Sequence, residues 1–412
     1  METNRVTQVL RKVPHYATRV VRKLPSRDRL ARVMLRCGAN LLLAVAAVSL
    51  FFLGAELVLR VVGREILSTS VLEPHPEMGF IWRRHRKGNV SCVEGLMPIS
   101  INSLGLRDRE YGPKPAGVRR VLVLGDSMAA GYAVRLESTF PKIAEKLLNE
   151  RNSDSRWEII NGAVPGYSTK QELALLQSIG WQLDPDIAVL AFYLGNDLAD
   201  NLRDRGPKPT VSRPVDCILP LARDKWDIPL PETVRTWLKV HSAFYVWFEN
   251  RYDRLLLIAG VRASVPRYEV PSWLSICQKG SRSAHLDMAW QLTRKWIATM
   301  SREATGRGTP LGVLVIPAIE QVDEEVLRAN IKRFKLHDKN LDTTRPNAEI
   351  AAILQELEIP FLDATETLRK QQLAGELTFF KVNAHLTPAG HRIVANTLTD
   401  MLETLQPGTV HD

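Results

Sequence analysis

Cysteine is scarce here: four residues in 412, with no Cys-x-x-Cys pair and no clustered histidines. That leaves no metal-ligand spacing to read, so neither a metal nor a cofactor is expected. No internal repeat and no low-complexity tract is visible, which removes solenoids and disordered linkers from consideration. Basic residues are concentrated at one end. Residues 1–37 hold ten Lys/Arg against Glu2 and Asp28, which leaves a net +2 of the chain's +10 for the other 375 residues. The body is therefore close to neutral and has no basic groove interleaved with aromatics, so no nucleic-acid partner is expected.

What is present begins with an apolar run, Leu41 to Ala55, that continues to Val62. About 20 apolar residues span a bilayer as a helix, and residues 39–62 suffice. Glu56 and Arg60 are four apart, share a helix face and can pair. A cleaved signal peptide fits less well, because the apolar region and its leading arm are both long and no clean small-x-small site follows. The positive-inside bias then puts residues 1–38 in the cytoplasm as a basic arm, the span in the inner membrane, and the remainder outside, in the periplasm. Cys92, Cys217 and Cys277 would lie outside, where disulfides persist. Cys217 and Cys277 flank one insert and are the expected pair.

Residues 63–118 read as an irregular, proline-punctuated lead-in. From Arg119 the pattern changes to short apolar runs separated by helical patterns. "RRVLVLGDS", "WEIIN", "DIAVLAFYLGND", "LGVLVIP" and "IPFLD" read as five buried strands. Helical stretches near 138–150, 169–180, 284–305, 322–335, 344–356 and 387–404 alternate with them. Strands alternating with helices imply a doubly wound, flavodoxin-like parallel sheet over residues 119–405. The segment 203–283 breaks the alternation. Rich in proline and carrying tryptophans and tyrosines from Trp226 to Trp273, it is either an insertion packed on the rim or a lid or substrate wall.

In an open parallel sheet, ligands bind outside the carboxyl ends of the strands. Strand one ends in Gly125-Asp126-Ser127; strand two is followed by "NGAVPGYST"; strand three ends in Gly195-Asn196-Asp197; His385 follows strand five. A hydroxyl, permissive glycines, an amide and an imidazole converge on one edge. Asp126 is expected to order its loop, Asp197 to cap the next segment, and His391 to be scaffold.

These blocks, in this order, resemble the SGNH/GDSL hydrolase family: "GDSM", "NGAVPGYST", "GND" and "NAHLTPAGH". "INSLGLRDREYG" and "VIPAIEQV" also look like membrane-anchored bacterial members; Asn102 and Arg107 in the first of these are expected to be structural. The resemblance, over about residues 100–405, implies a serine esterase with Ser127 as nucleophile and His385 as general base. Its oxyanion donors would be the backbone N–H groups of Ser127 and Gly166 and the side-chain amide of Asn196. An acyl-serine intermediate is implied, with an acylated carbohydrate or lipid as partner. Water or a sugar hydroxyl would resolve it, giving hydrolysis or O-acetyl transfer.

One element is missing. Similar members carry an acid two or three residues before the histidine, where this chain has Asn383 and Val382. An amide oxygen or a backbone carbonyl can fix the imidazole tautomer but supplies no charge. Three outcomes follow: a Ser127–His385 dyad oriented by Asn383 or a backbone carbonyl, an acid reaching in from elsewhere (Asp363 being a candidate), or an inactive binding and assembly protein for envelope polysaccharide. On the first, Asn383→Asp is expected to preserve or raise turnover.

Overall fold

The computed structural model describes residues 27–62, 71–92, 94–151, 156–202, 228–259, 261, 272–280 and 282–405. The basic arm before Arg27, Cys217 and the first part of the insert lie outside these. The chain divides into two units, Met1–Leu57 and Val58–Asp412. The described part of the first lies within a helix that runs Arg27–Val62. Its stretch Met34–Val61 has a mean hydropathy of 2.4, is long and apolar enough to cross a membrane, and has none of that window buried. This stretch overlaps the expected span at 39–62.

The second unit opens on strands β1 (Leu72–His75), β2 (Gly79–Trp82), β3 (Lys87–Cys92) and β4 (Gly95–Ser100). β1 pairs antiparallel with β2, and β3 with β4. The expected irregular lead-in is therefore two hairpins. Pro74 and Pro98 misled because proline argues against a central strand. In a two-stranded ribbon every strand is an edge, and an edge tolerates a residue with no N–H.

Five parallel strands follow: β5 (Val118–Gly125), β6 (Arg156–Asn161), β7 (Ile187–Tyr193), β8 (Leu311–Ile316) and β9 (Phe361–Asp363), in the order β6-β5-β7-β8-β9. This is the doubly wound, flavodoxin-like order, second-first-third-fourth-fifth. Val121 to Leu124 and Ile187 to Leu190 have no exposed surface, because a sheet with helices on both faces has no polar side to present. The helices Phe140–Arg151, Thr169–Ser178, Ala284–Gly306, Arg345–Glu356 and Pro388–Thr404 connect or cover these strands. In the insert, the helices Glu232–His241 and Ala243–Ile258 form a pair, and the second packs against β3. Cys277 is buried; its expected partner Cys217 lies outside the described residues. Cys277 packs in the core with Trp273, Leu274 and Ile276.

Candidate active site

β5 runs apolar until Gly125, where the chain turns sharply into a four-residue helix, Ser127–Ala130. A Cβ on Gly125 would stand 2.7 Å from the Ala129 Cβ, so only glycine allows this turn. Asp126 is the N-cap: its Oδ1 accepts from the Met128 N–H at 2.8 Å, the ordinary way an aspartate satisfies a helix start. This matches the loop-ordering role expected for it. From beneath, Arg107 donates to four carbonyls: Ala130 (2.6 Å), Gly131 (2.8 Å), Val134 (2.7 Å) and Pro98 (2.8 Å). Asn102 folds the preceding turn by accepting from the N–H groups of Leu104 and Leu106. Both residues are structural, as read.

His385 arrives from the far end of the chain. Its loop is closed by the bridge Phe379–Leu386 and by the Thr387 N–H donating to the Thr378 carbonyl. Thr387 then caps the last helix through the Gly390 N–H, with Pro388 in the first turn, where a missing N–H costs nothing. Ala384 is in the left-handed region at φ +58, a conformation that costs a non-glycine residue about 1–2 kcal/mol. It turns the chain so that the Asn383 backbone carbonyl lies 3.0 Å from His385 Nδ1. A carbonyl can only accept, so Nδ1 carries the proton and Nε2 is the basic nitrogen. Nε2 is 2.9 Å from Ser127 Oγ.

The side chain of Asn383 is elsewhere. Its Oδ1 accepts from the His385 backbone N–H at 2.9 Å, and its Nδ2 donates to Glu94, at the tip of the β3–β4 hairpin. The main chain of Asn383, not its amide, therefore orients the ring. Asp363 does not reach the site: it accepts from Asn347 and from the Thr365 N–H at the end of β9. With no carboxylate on the ring, burial pushes the His385 pKa down from 6.5 to about 4, opposed only by the Asn383 carbonyl. The Tyr132 ring packs on the imidazole with centroids 4.5 Å apart. His391 accepts from the Phe140 N–H at 3.2 Å and stacks on the Phe140 ring, the scaffold role expected.

Ser127, Gly166, Asn196 and His385 are each partly exposed amid buried neighbours. Gly166 has φ +78, which a side chain would strain. Asn196 donates through Nδ2 to Asp200 at 2.9 Å and hydrogen-bonds Asp126; Asp200 was not singled out from the sequence. Asp197 accepts from the Tyr193 N–H at 2.7 Å, tying back to β7 instead of capping forward. Behind this edge lies a group of buried acids. Burial raises the Asp126 pKa to about 6, and burial with mutual repulsion holds Glu172 and Asp197 well above the carboxylate range. Glu172 is 1% exposed and neither of its oxygens has a hydrogen-bond partner among the described residues.

The hairpins brace these loops. Trp82 Nε1 donates to the Ala163 carbonyl at 3.0 Å, the Tyr167 hydroxyl donates to the Phe80 carbonyl, and Gln171 donates to the Met78 carbonyl at 2.8 Å. All three grip the segment around Gly166. Glu94 does the same for the histidine loop. No local signal in the sequence marks Glu94, since its partner is 289 residues away. Among the described residues, no group of three or more His, Cys, Asp or Glu side chains could hold a metal ion.

Residues 270–411 match a family model described as the SGNH hydrolase-like domain of the acetyltransferase AlgX. Over 93 residues, 23% of its length, the chain is 36% identical to an arylesterase of Vibrio mimicus, and the match spans 44% of that relative. Two solved structures align with most of the chain at low similarity. TesA has 12% identity and a TM-score of 0.36, over 70% of this chain and 100% of that one. The acetyl xylan esterase AlAXEase has 11% identity and a TM-score of 0.38, over 68% and 98%. Residues 270–411, which carry His385, are thus similar to an SGNH hydrolase-like domain, and Ser127, Gly166 and Asn196 lie outside that match.

Proposed function

We propose that this chain is a membrane-anchored, extracytoplasmic serine esterase that acts on acyl esters, O-acetyl esters above all, of a carbohydrate or lipid. The observation that carries the reading is the 2.9 Å contact between Ser127 Oγ and His385 Nε2, with the Asn383 carbonyl fixing the tautomer. The Ser127 proton passes to Nε2 as Oγ attacks the ester carbonyl carbon. The oxyanion would be met by the N–H groups of Ser127 and Gly166 and by the Asn196 amide. Collapse expels the alcohol, which takes the proton from His385 and leaves an acyl-serine. His385 then deprotonates water, and the acid departs with Ser127 restored.

A second reading, O-acetyl transfer, is favoured by the acetyltransferase family that residues 270–411 match. It uses the same steps with a sugar hydroxyl in place of water. The match to an arylesterase supports the hydrolytic branch. The apolar stretch Met34–Val61 would be the anchor, with the basic arm holding the N-terminus on the cytoplasmic side.

The test is covalent labelling of the purified full chain with a fluorophosphonate, read by mass spectrometry. An adduct on Ser127 that disappears in His385→Ala supports the esterase; no adduct on folded protein moves the reading to a binding protein. Trapped acyl-enzyme challenged with water or with a sugar acceptor separates the two branches. Because the neutral imidazole is the active form and its pKa lies near 4, kcat/KM for a chromogenic ester should hold down to about pH 5 and fall below it. An acid limb near pH 6.5 would contradict that placement of the base.

A further inference from the structure

This chain replaces the acid that would serve the histidine with an amide, and a carboxyl group stands against that amide from another part of the fold. We propose that Glu94 is a positioning residue for the general base: it grips the Asn383 side chain from the hairpin and so fixes the turn that holds His385 on Ser127. The inference rests on the esterase reading.

Three contacts carry it. Glu94 Oε2 accepts from Asn383 Nδ2. The same amide, through Oδ1, accepts from the His385 backbone N–H at 2.9 Å. The Asn383 backbone carbonyl accepts from His385 Nδ1–H at 3.0 Å. Asn383 is 4% exposed, so its amide is held between the hairpin and the histidine turn, out of bulk water. The turn itself is under strain, because Ala384 sits at φ +58, and a strained turn persists only where its surroundings over-determine it. Glu94 is one such group from outside the loop, and it acts on the residue before the strained turn. It acts on the histidine by geometry and leaves the imidazole uncharged in the ground state.

The setting of Glu94 fits a grip that tolerates protonation. Burial raises its pKa, while Arg254 on the helix Ala243–Ile258 and the Asn383 amide oppose that rise. The buried Cys92 thiol lies within electrostatic reach of it. Either protonation state leaves an oxygen able to accept from Nδ2. Asn383→Asp alone would therefore set a second carboxyl against Glu94, and like charges at hydrogen-bond range cannot both ionise. That reverses the expectation drawn from the histidine loop considered by itself.

The experiment uses the full chain in detergent at pH 8 and a fluorophosphonate, with kinact and KI measured for Ser127 together with thermal unfolding. Glu94→Ala should lower kinact about 10- to 100-fold with KI within about threefold, the scale of a small misplacement of a catalytic group. Glu94→Gln keeps an acceptor and should stay within about threefold of the wild type. Asn383→Asp should lose about tenfold or more. Glu94→Gln combined with Asn383→Asp, which restores one acid facing one amide, should recover most of that loss. The recovery is independent of whether Glu94→Ala folds. Wild-type kinact in folded Glu94→Ala, or a double variant no better than Asn383→Asp, overturns the role of Glu94 and leaves the esterase standing. A wild-type protein that never labels overturns both.

Discussion

The parallel sheet and the two hairpins before it hold the same edge of the molecule by different physics. The sheet delivers residues. The central strands β5, β7 and β8 are buried apolar runs, while β9 at the edge is partly exposed, and residues just past the carboxyl ends land at the site because the strands stop there: Ser127 after β5, the Gly166 loop after β6, Asn196 after β7. The hairpins deliver almost no side chain that meets the reacting atoms. They hold loops, through Trp82 on the Ala163 carbonyl, Phe80 on Tyr167 and Glu94 on Asn383. The lesson is a division of labour. The chemistry is placed by local strand ends, and its precision is set by contacts between segments far apart in the chain.

The largest test of that division is Ser127→Ala. It should reduce turnover by about 10⁶-fold, the scale for losing a nucleophile that works with a histidine, while urea unfolding stays unchanged, because the hydroxyl is a guest at a helix start already capped by Asp126. Arg107→Ala comes next and reverses the pattern. It removes the donor to four carbonyls, three of these contacts buried, and should cost on the order of 3 kcal/mol or more in urea unfolding, with Ser127 labelling lost as the nucleophile turn loosens. If stability survives, the lead-in is less of a brace than its contacts imply.

Glu172→Met sharpens the sheet side. Glu172 has its pKa raised in the folded state, so its favourable contribution is complete below its ordinary value of 4.5 and is lost as pH climbs toward the folded pKa. Replacing it with an apolar side chain should therefore stabilise by about 1–2 kcal/mol at pH 8 and by less at pH 5. Melting curves at the two pH values decide it; an equal shift at both would mean the carboxyl is not the source. The smallest effect is expected from Trp82→Phe, which keeps most of the packing and deletes only the bond to Ala163. About 1 kcal/mol in urea unfolding, with a severalfold change in kcat, would fit a brace that tunes the Gly166 loop. A loss of stability with kcat untouched would confine the hairpin to folding.

Much of this could be read from the chain. The apolar runs of β5, β7 and β8 announce themselves because a strand buried on both faces must be apolar throughout. The four blocks were legible because each is local: "GDSM", "NGAVPGYST" and "GND" follow strand ends, and "NAHLTPAGH" leads into the last helix. The hairpins were not legible. Their strands are four to six residues long and contain prolines that count against a strand everywhere except at an edge. The orientation of Asn383 was half legible. A carbonyl on the histidine could be anticipated, but whether it came from the side chain or the main chain depends on the left-handed turn at Ala384, which no residue type there advertises.

By itself, then, the amino-acid order determined the parallel sheet, the apolar N-terminal stretch and the set of groups that meet at the sheet edge. All of these follow from periodicity and short-range turn chemistry. Only the tertiary structure decided which partner each group keeps: the Asn383 carbonyl on His385, Asp200 on Asn196, Asp363 turned away to Asn347, and Glu94 brought to the histidine loop. Those choices depend on which segments the folded core presses together, and hydrogen bonds across hundreds of residues leave no trace in local sequence.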